Sequence, residues 1–122
     1  MYLKSFENLG KPKLFWKYFQ QISQIPRCTA KEKRIRSFVK QEAEKYDFLT
    51  KIDEAGNLLV KKSSHKVNCP TVLLQSHLDM VCEKNKEKAH DFDNDPLELI
   101  VIEKEGKRWV TADETTLGAD NG

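Results

Sequence analysis

No apolar run in the 122 residues approaches the roughly 18 needed for a membrane-spanning helix, which excludes a helical span as the organising element. Cysteine is scarce and odd in number: Cys28, Cys69 and Cys82, with no C-x-x-C spacing. That excludes a dense disulfide framework and paired-thiolate zinc, and the expectation is free, buried thiols in a reducing cytosol. An excess of one charge is also missing, since 33% of residues are charged yet the net charge is only +2. With no basic stripe interleaved with aromatics, neither nucleic acid nor an anionic membrane surface is expected as a partner. Internal repeats, low-complexity stretches and an obvious linker are absent too, and the first residues do not read as a signal peptide. What is left is one soluble cytoplasmic unit, residues 1–122, with 39% hydrophobic residues and a core of modest size.

Within that unit, residues 1–10 read as a loose lead-in or short turn. Leu14, Phe15, Tyr18, Phe19, Ile22 and Ile25 follow helical spacing opposite Lys and Gln, with Pro12 early in the helix and Pro26 ending it. This aromatic stripe reads as core. Thr29 with Glu32 three residues on reads as a capping box for a second helix, whose buried face is Ile35, Phe38, Val39, Ala43 and Tyr46. Its charged residues, Lys31 to Glu44, read as a solvated face. Phe48–Ile52 and Leu58–Val60 flank the turn residues Asp53 to Asn57 and predict a hairpin. His65, in a polar loop, reads as solvated. Leu97–Ile102 and Arg108–Thr111 flank Glu105-Gly106-Lys107 and predict a second antiparallel pair.

The stretch that organises the rest is Pro70-Thr71-Val72-Leu73-Leu74-Gln75-Ser76-His77-Leu78-Asp79-Met80. An unbroken apolar run bounded by Pro and polar groups predicts a strand buried on both faces. His77 and Asp79 are two apart, so an extended chain points both side chains the same way. An imidazole and a carboxylate then emerge together at the end of a buried strand, where α/β sheets keep their chemistry. A His-x-Asp pair by itself is a weak signal, and a hydrogen bond satisfying two half-buried polar groups explains it equally well. Asp120, in the glycine-flanked segment Gly118-Ala119-Asp120-Asn121-Gly122, adds a second acidic group where the backbone can approach a ligand.

Gln75 to Glu83, His90-Asp91-Phe92 with Asp95-Pro96, and Thr115 to Gly122 together resemble the aminoacyl-histidine dipeptidases, within the dinuclear zinc aminopeptidase/aminoacylase superfamily. The Phe15-Trp16 helix, Ile22 to Arg27 and Asp53 to Asn57 are similar as well, so the resemblance runs over nearly the whole chain. It implies an α/β fold, a mixed sheet flanked by helices, forming the N-terminal part of a zinc-peptidase catalytic domain. It implies His77 as ligand of one zinc, Asp120 as the carboxylate bridging two zincs, and Asp79 as the catalytic-site acid that orients His77 without binding metal. It implies two Zn2+, with Co2+ or Mn2+ as alternatives, a dipeptide substrate, and hydrolysis by a water shared between the metals, with a glutamate as base. It also implies a cis peptide at Asp120–Asn121.

The glutamate and the other ligands lie beyond Asp120 in that family. The chain is therefore expected to be a piece of a longer protein, inactive alone, and to self-associate through uncovered strands. Two rivals remain: another metal-dependent deacylase or carboxypeptidase of the superfamily, and a binding module in which His77 and Asp79 merely share a hydrogen bond. His90 and Asp91 read either as substrate contacts or as a structural pair beside Phe92, and Cys82 as a thiolate ligand or a buried neighbour.

Overall fold

A computed structural model describes residues 2, 3, 6 and 9–120. The elements run β1 (Tyr2–Leu3), α1 (Lys13–Ser23), α2 (Lys33–Glu44), β2 (Leu49–Ile52), β3 (Leu58–Lys61), β4 (Leu99–Lys104) and β5 (Lys107–Ala112). The α/β class follows, with two small antiparallel sheets: β1-β4-β5, and the β2-β3 hairpin. The parallel component reduces to a single bridge, Cys28 with Met80.

Both hairpins form where turn chemistry asks for them. Asp53 closes the β2–β3 turn by accepting from the Asn57 backbone N–H at 2.8 Å and from its side-chain amide at 2.9 Å. Arg36 of α2 donates to the Gly56 carbonyl at 2.7 Å and ties this hairpin to the helix. The β4–β5 turn carries positive φ at Glu105 and Gly106, the pair of left-handed residues that a tight two-residue hairpin requires. Residues 1–10, read as a loose lead-in, include β1, which pairs Tyr2 with Ile102 and Leu3 with Val101.

The core is small. Ile35 and Val101 are fully buried, joined by Ala43, Met80, Leu97 and Ala112. The helical stripe of α1 is only partly covered: Trp16, Tyr18, Phe19 and Ile22 are half-buried, while Leu14 and Phe15 are exposed. The helix is held near its end, where the Ser23 carbonyl accepts from the Leu97 N–H at 3.0 Å, and this leaves its first turn uncovered. Tyr46, assigned from spacing to the buried face of α2, lies past the helix end and is exposed.

Three expectations are corrected. Residues 71–79 are not a strand, and Val72, Leu73 and Leu74 are 79%, 78% and 89% exposed. Composition predicts a strand that wants neighbours on both sides, and no described segment supplies them, so the run forms no strand and stays solvated. Second, Cys28 and Cys82 are not free thiols but a disulfide, and Cys69 alone is free and exposed. The Cys28–Met80 bridge sets the two Cα atoms 5.6 Å apart, inside the range a disulfide spans, although 54 residues separate them in sequence. Third, Thr29 does not cap α2. The helix begins at Lys33 with no side-chain cap bond, and Glu32 accepts instead from the Ala30 N–H. The Asp120–Asn121 peptide and Gly122 lie outside the described residues.

Candidate metal centre

The segment carrying His77 and Asp79 is fixed by its neighbours rather than by a sheet. Met80 donates its N–H to the Arg27 carbonyl at 3.0 Å, and Thr29 donates its N–H to the Met80 carbonyl at 3.3 Å. Farther on, residues 81–85 run antiparallel to 114–116. Thr116 N–H reaches the Glu83 carbonyl at 2.8 Å, and the Thr116 hydroxyl donates to the Val81 carbonyl at 2.7 Å. This second pairing brings the chain leading to Asp120 alongside the chain leaving His77.

Arg27 locks the two together. Its guanidinium donates to the carbonyls of Leu78 (3.1 Å) and Asp79 (3.3 Å) with one nitrogen and to Gly118 (2.6 Å) with the other. The residue is only 4% exposed. Burial pulls its pKa down from the ordinary guanidinium value, while the carboxylates of Asp120 and Asp79 oppose that pull. Gly118 sits at φ +63, and a Cβ there would stand 2.8 Å from both Arg27 and the Met80 sulfur. Only glycine allows both the left-handed turn and this approach.

The three groups singled out in the sequence meet in space. His77 Nδ1 lies 3.0 Å from Asp79 Oδ1 and 3.0 Å from the Asp79 carbonyl oxygen. Both neighbours are acceptors, so Nδ1 carries a hydrogen and Nε2 is the ring nitrogen turned away from Asp79. Nε2 stands 3.4 Å from Asp120 Oδ2. The Thr29 hydroxyl donates to Asp79 Oδ2 at 2.5 Å, so both carboxylate oxygens of Asp79 are engaged. That hydroxyl is the first cause of a carboxyl pKa held below the usual range, with His77 adding to it against burial.

An imidazole nitrogen and a carboxylate oxygen this close form an ion pair when the ring is protonated, and a metal ion can take the proton's place. Ligands bound at about 2.0–2.1 Å around a tetrahedral zinc stand about 3.3–3.4 Å apart, which matches the His77–Asp120 separation. The donor types and the acid behind the imidazole suit such an ion. Among the described residues no group of three or more His, Cys, Asp or Glu gathers that could hold a metal.

The other candidates lie elsewhere in the contact network. His90 packs edge-on against Phe92 at 4.5 Å, and its Nε2 is buried without a hydrogen-bond partner among the described residues. Asp91 closes its own turn, accepting from Asp93 N–H at 2.9 Å and the Asn94 amide at 2.7 Å. His65 is exposed, and Cys82 is consumed by its disulfide. Sequence reading passed over Thr29, taken as a helix cap, and gave Arg27 no role. Their partners lie 50 to 91 residues away, and no local pattern marks them.

No protein-family model matches the chain. It is 37% identical over 113 residues to the cytosol non-specific dipeptidase of Escherichia coli (strain K12), an alignment covering 91% of this chain and 22% of that protein. The solved structure of aminoacylhistidine dipeptidase from Vibrio alginolyticus superposes with a TM-score of 0.77 at 35% identity, covering 90% of this chain and 22% of that one. No helix among the described residues is long and apolar enough to cross a membrane. In sequence and in fold, the chain is similar to one stretch of these dipeptidases, and it spans about a fifth of those relatives' length.

Proposed function

We propose that this chain contributes part of the metal centre of a dipeptidase that hydrolyses Xaa-His and related unblocked dipeptides. In this reading His77 and Asp120 would hold the metal, and Asp79 holds the His77 ring. The observation that carries it is the alignment of the three groups, with Nδ1 tied back to Asp79 and Nε2 opposed to Asp120 at 3.4 Å. The names of the two relatives supply the substrate class, and the E. coli relative's name supplies a cytoplasmic location.

The metal of choice is zinc, which accepts this mixture of imidazole and carboxylate. Bound there, divalent ions lower the pKa of water and polarise a carbonyl. The chain's own residues then have narrower tasks. Asp79 keeps the hydrogen of His77 on Nδ1, so Nε2 stays a donor of electrons. Arg27 keeps the Asp120 segment against the His77 segment. Residues 1–122 form part of one metallopeptidase catalytic domain in this reading, and the protein assembles with copies of itself.

Zinc titration by calorimetry tests the reading. The chain is expected to bind Zn2+ weakly, since two ligands are fewer than the three or four a protein site provides. His77→Ala and Asp120→Asn should each abolish that binding. Unchanged binding in both variants would overturn the assignment. With zinc and an unblocked Xaa-His dipeptide the chain alone should show no turnover, and measurable turnover would refute the ligand count.

A further inference from the structure

The Thr29 hydroxyl is spent in a place its sequence context does not suggest. Thr29 and Glu32 have the spacing of a capping box, yet α2 starts without a side-chain cap. The hydroxyl reaches instead across 50 residues of sequence to Asp79 Oδ2 at 2.5 Å. The backbone around it cannot drift, because Thr29 N–H is bonded to the Met80 carbonyl and the Arg27 carbonyl to the Met80 N–H. Asp79 therefore has one oxygen on Thr29 and the other on His77 Nδ1. Without the first bond, the carboxylate is free to rotate about its Cβ–Cγ bond, and Nδ1 then loses one of its two acceptors and keeps the Asp79 carbonyl oxygen at 3.0 Å.

We infer that Thr29 is a positioning residue: its hydroxyl pins the Asp79 carboxylate, and Asp79 in turn fixes the His77 tautomer and the aim of Nε2 at Asp120. This rests on the metal-centre reading and adds to it a third link, from a loop that contributes no ligand. Partners behind a metal-bound imidazole set ligand orientation and basicity, and their loss weakens metal affinity by roughly 10- to 100-fold. A hydroxyl donating to a charged acceptor is among the stronger hydrogen bonds, so its removal should be felt. Thr29 is exposed, so the isosteric Thr29→Val changes no packed core.

The test compares the full chain with Thr29→Val and Thr29→Ser. Nitrogen-15 NMR of the His77 ring reports the tautomer, and calorimetry with Zn2+ alone reports affinity. The wild-type chain and Thr29→Ser should show a single Nδ1–H tautomer and equal affinity. Thr29→Val should show mixed tautomers and binding about 10- to 100-fold weaker, with its melting temperature little changed. A wild-type tautomer and affinity in Thr29→Val would overturn the inference, as would Thr29→Ser behaving like Thr29→Val. If His77→Ala still loses zinc in that case, the metal-centre reading survives while this one fails. A measurement on the unaltered chain guards against a variant that does not fold. The Thr29 hydroxyl proton should exchange slowly with water, and exchange at the free-solvent rate would overturn the inference.

Discussion

Replacing Gly118 with alanine puts the packing under the metal centre to a quantitative test. Two separate penalties apply. The residue sits at φ +63, where an L side chain costs about 1–2 kcal/mol. The new Cβ also falls 2.8 Å from Arg27 Nη2, 2.8 Å from the Met80 sulfur and 2.9 Å from Met80 Cβ. Met80 is buried and Arg27 is held by three carbonyls, so neither can step aside cheaply. Overpacking of this kind adds about 1–3 kcal/mol. The sum is about 2–5 kcal/mol, a drop in melting temperature on the order of 10 °C for a chain of this length. Gly106→Ala is the matched control. It has φ +70 and nothing within 4 Å of its would-be Cβ, so only the backbone penalty of about 1–2 kcal/mol applies. Thermal melts followed by circular dichroism should therefore show Gly118→Ala falling clearly further than Gly106→Ala. Equal shifts would refute the claim that Arg27 and Met80 form a rigid wall against Gly118.

Acid should weaken the fold. The Asp53 carboxyl is held below its usual range first by the Asn57 side chain and then by its backbone N–H, and that of Asp91 first by the Asn94 amide and then by the Asp93 N–H. Groups whose pKa is depressed on folding contribute stability that is complete above the unfolded carboxylate value and is lost as pH falls through the folded one. Urea midpoints should hold level down to about pH 4 and fall below it. A midpoint that rises on acidification would count against both turns. The exposed run of Val67, Val72, Leu73 and Leu74 should drive self-association that light scattering detects as concentration rises and that Leu73→Asp with Leu74→Lys suppresses. A strictly monomeric wild-type chain would refute it.

What could be read in the sequence is what local chemistry decides. Asp53 to Asn57 and Glu105-Gly106 are turn residues that act within four positions of themselves, and both hairpins formed where expected. The helical stripes gave both helices, because periodicity is a property of the segment alone. Burial was not legible to the same degree. Val72 to Leu74 have the composition of a covered strand, but covering requires neighbours that a composition cannot supply. The disulfide was missed because its two cysteines carry no spacing signal, and it is the Cys28–Met80 bridge that brings them together. At the candidate site His77 and Asp79 do meet, although the strand whose period of two was to pair them did not form. The placement of Asp120 opposite them came from glycine flanks and the family resemblance, not from any periodicity.

The charge arrangement explains why Arg27 escapes notice in the sequence and still governs the site. A buried guanidinium is costly unless it is paired or fully hydrogen-bonded. Arg27 spends its two terminal nitrogens on three backbone carbonyls, while its buried Nε has no hydrogen-bond partner among the described residues, and it owes its charge balance to Asp79 and Asp120, which raise its pKa against burial. Two carboxylates around one guanidinium leave a single net negative charge in the pocket. Asp79 is further engaged by Thr29 and His77, so the carboxylate left with exposed oxygens is that of Asp120. That residue faces His77 Nε2. The same cation that fastens the two segments by their backbones thus leaves the remaining negative charge at the point where an imidazole nitrogen can share a metal ion with it.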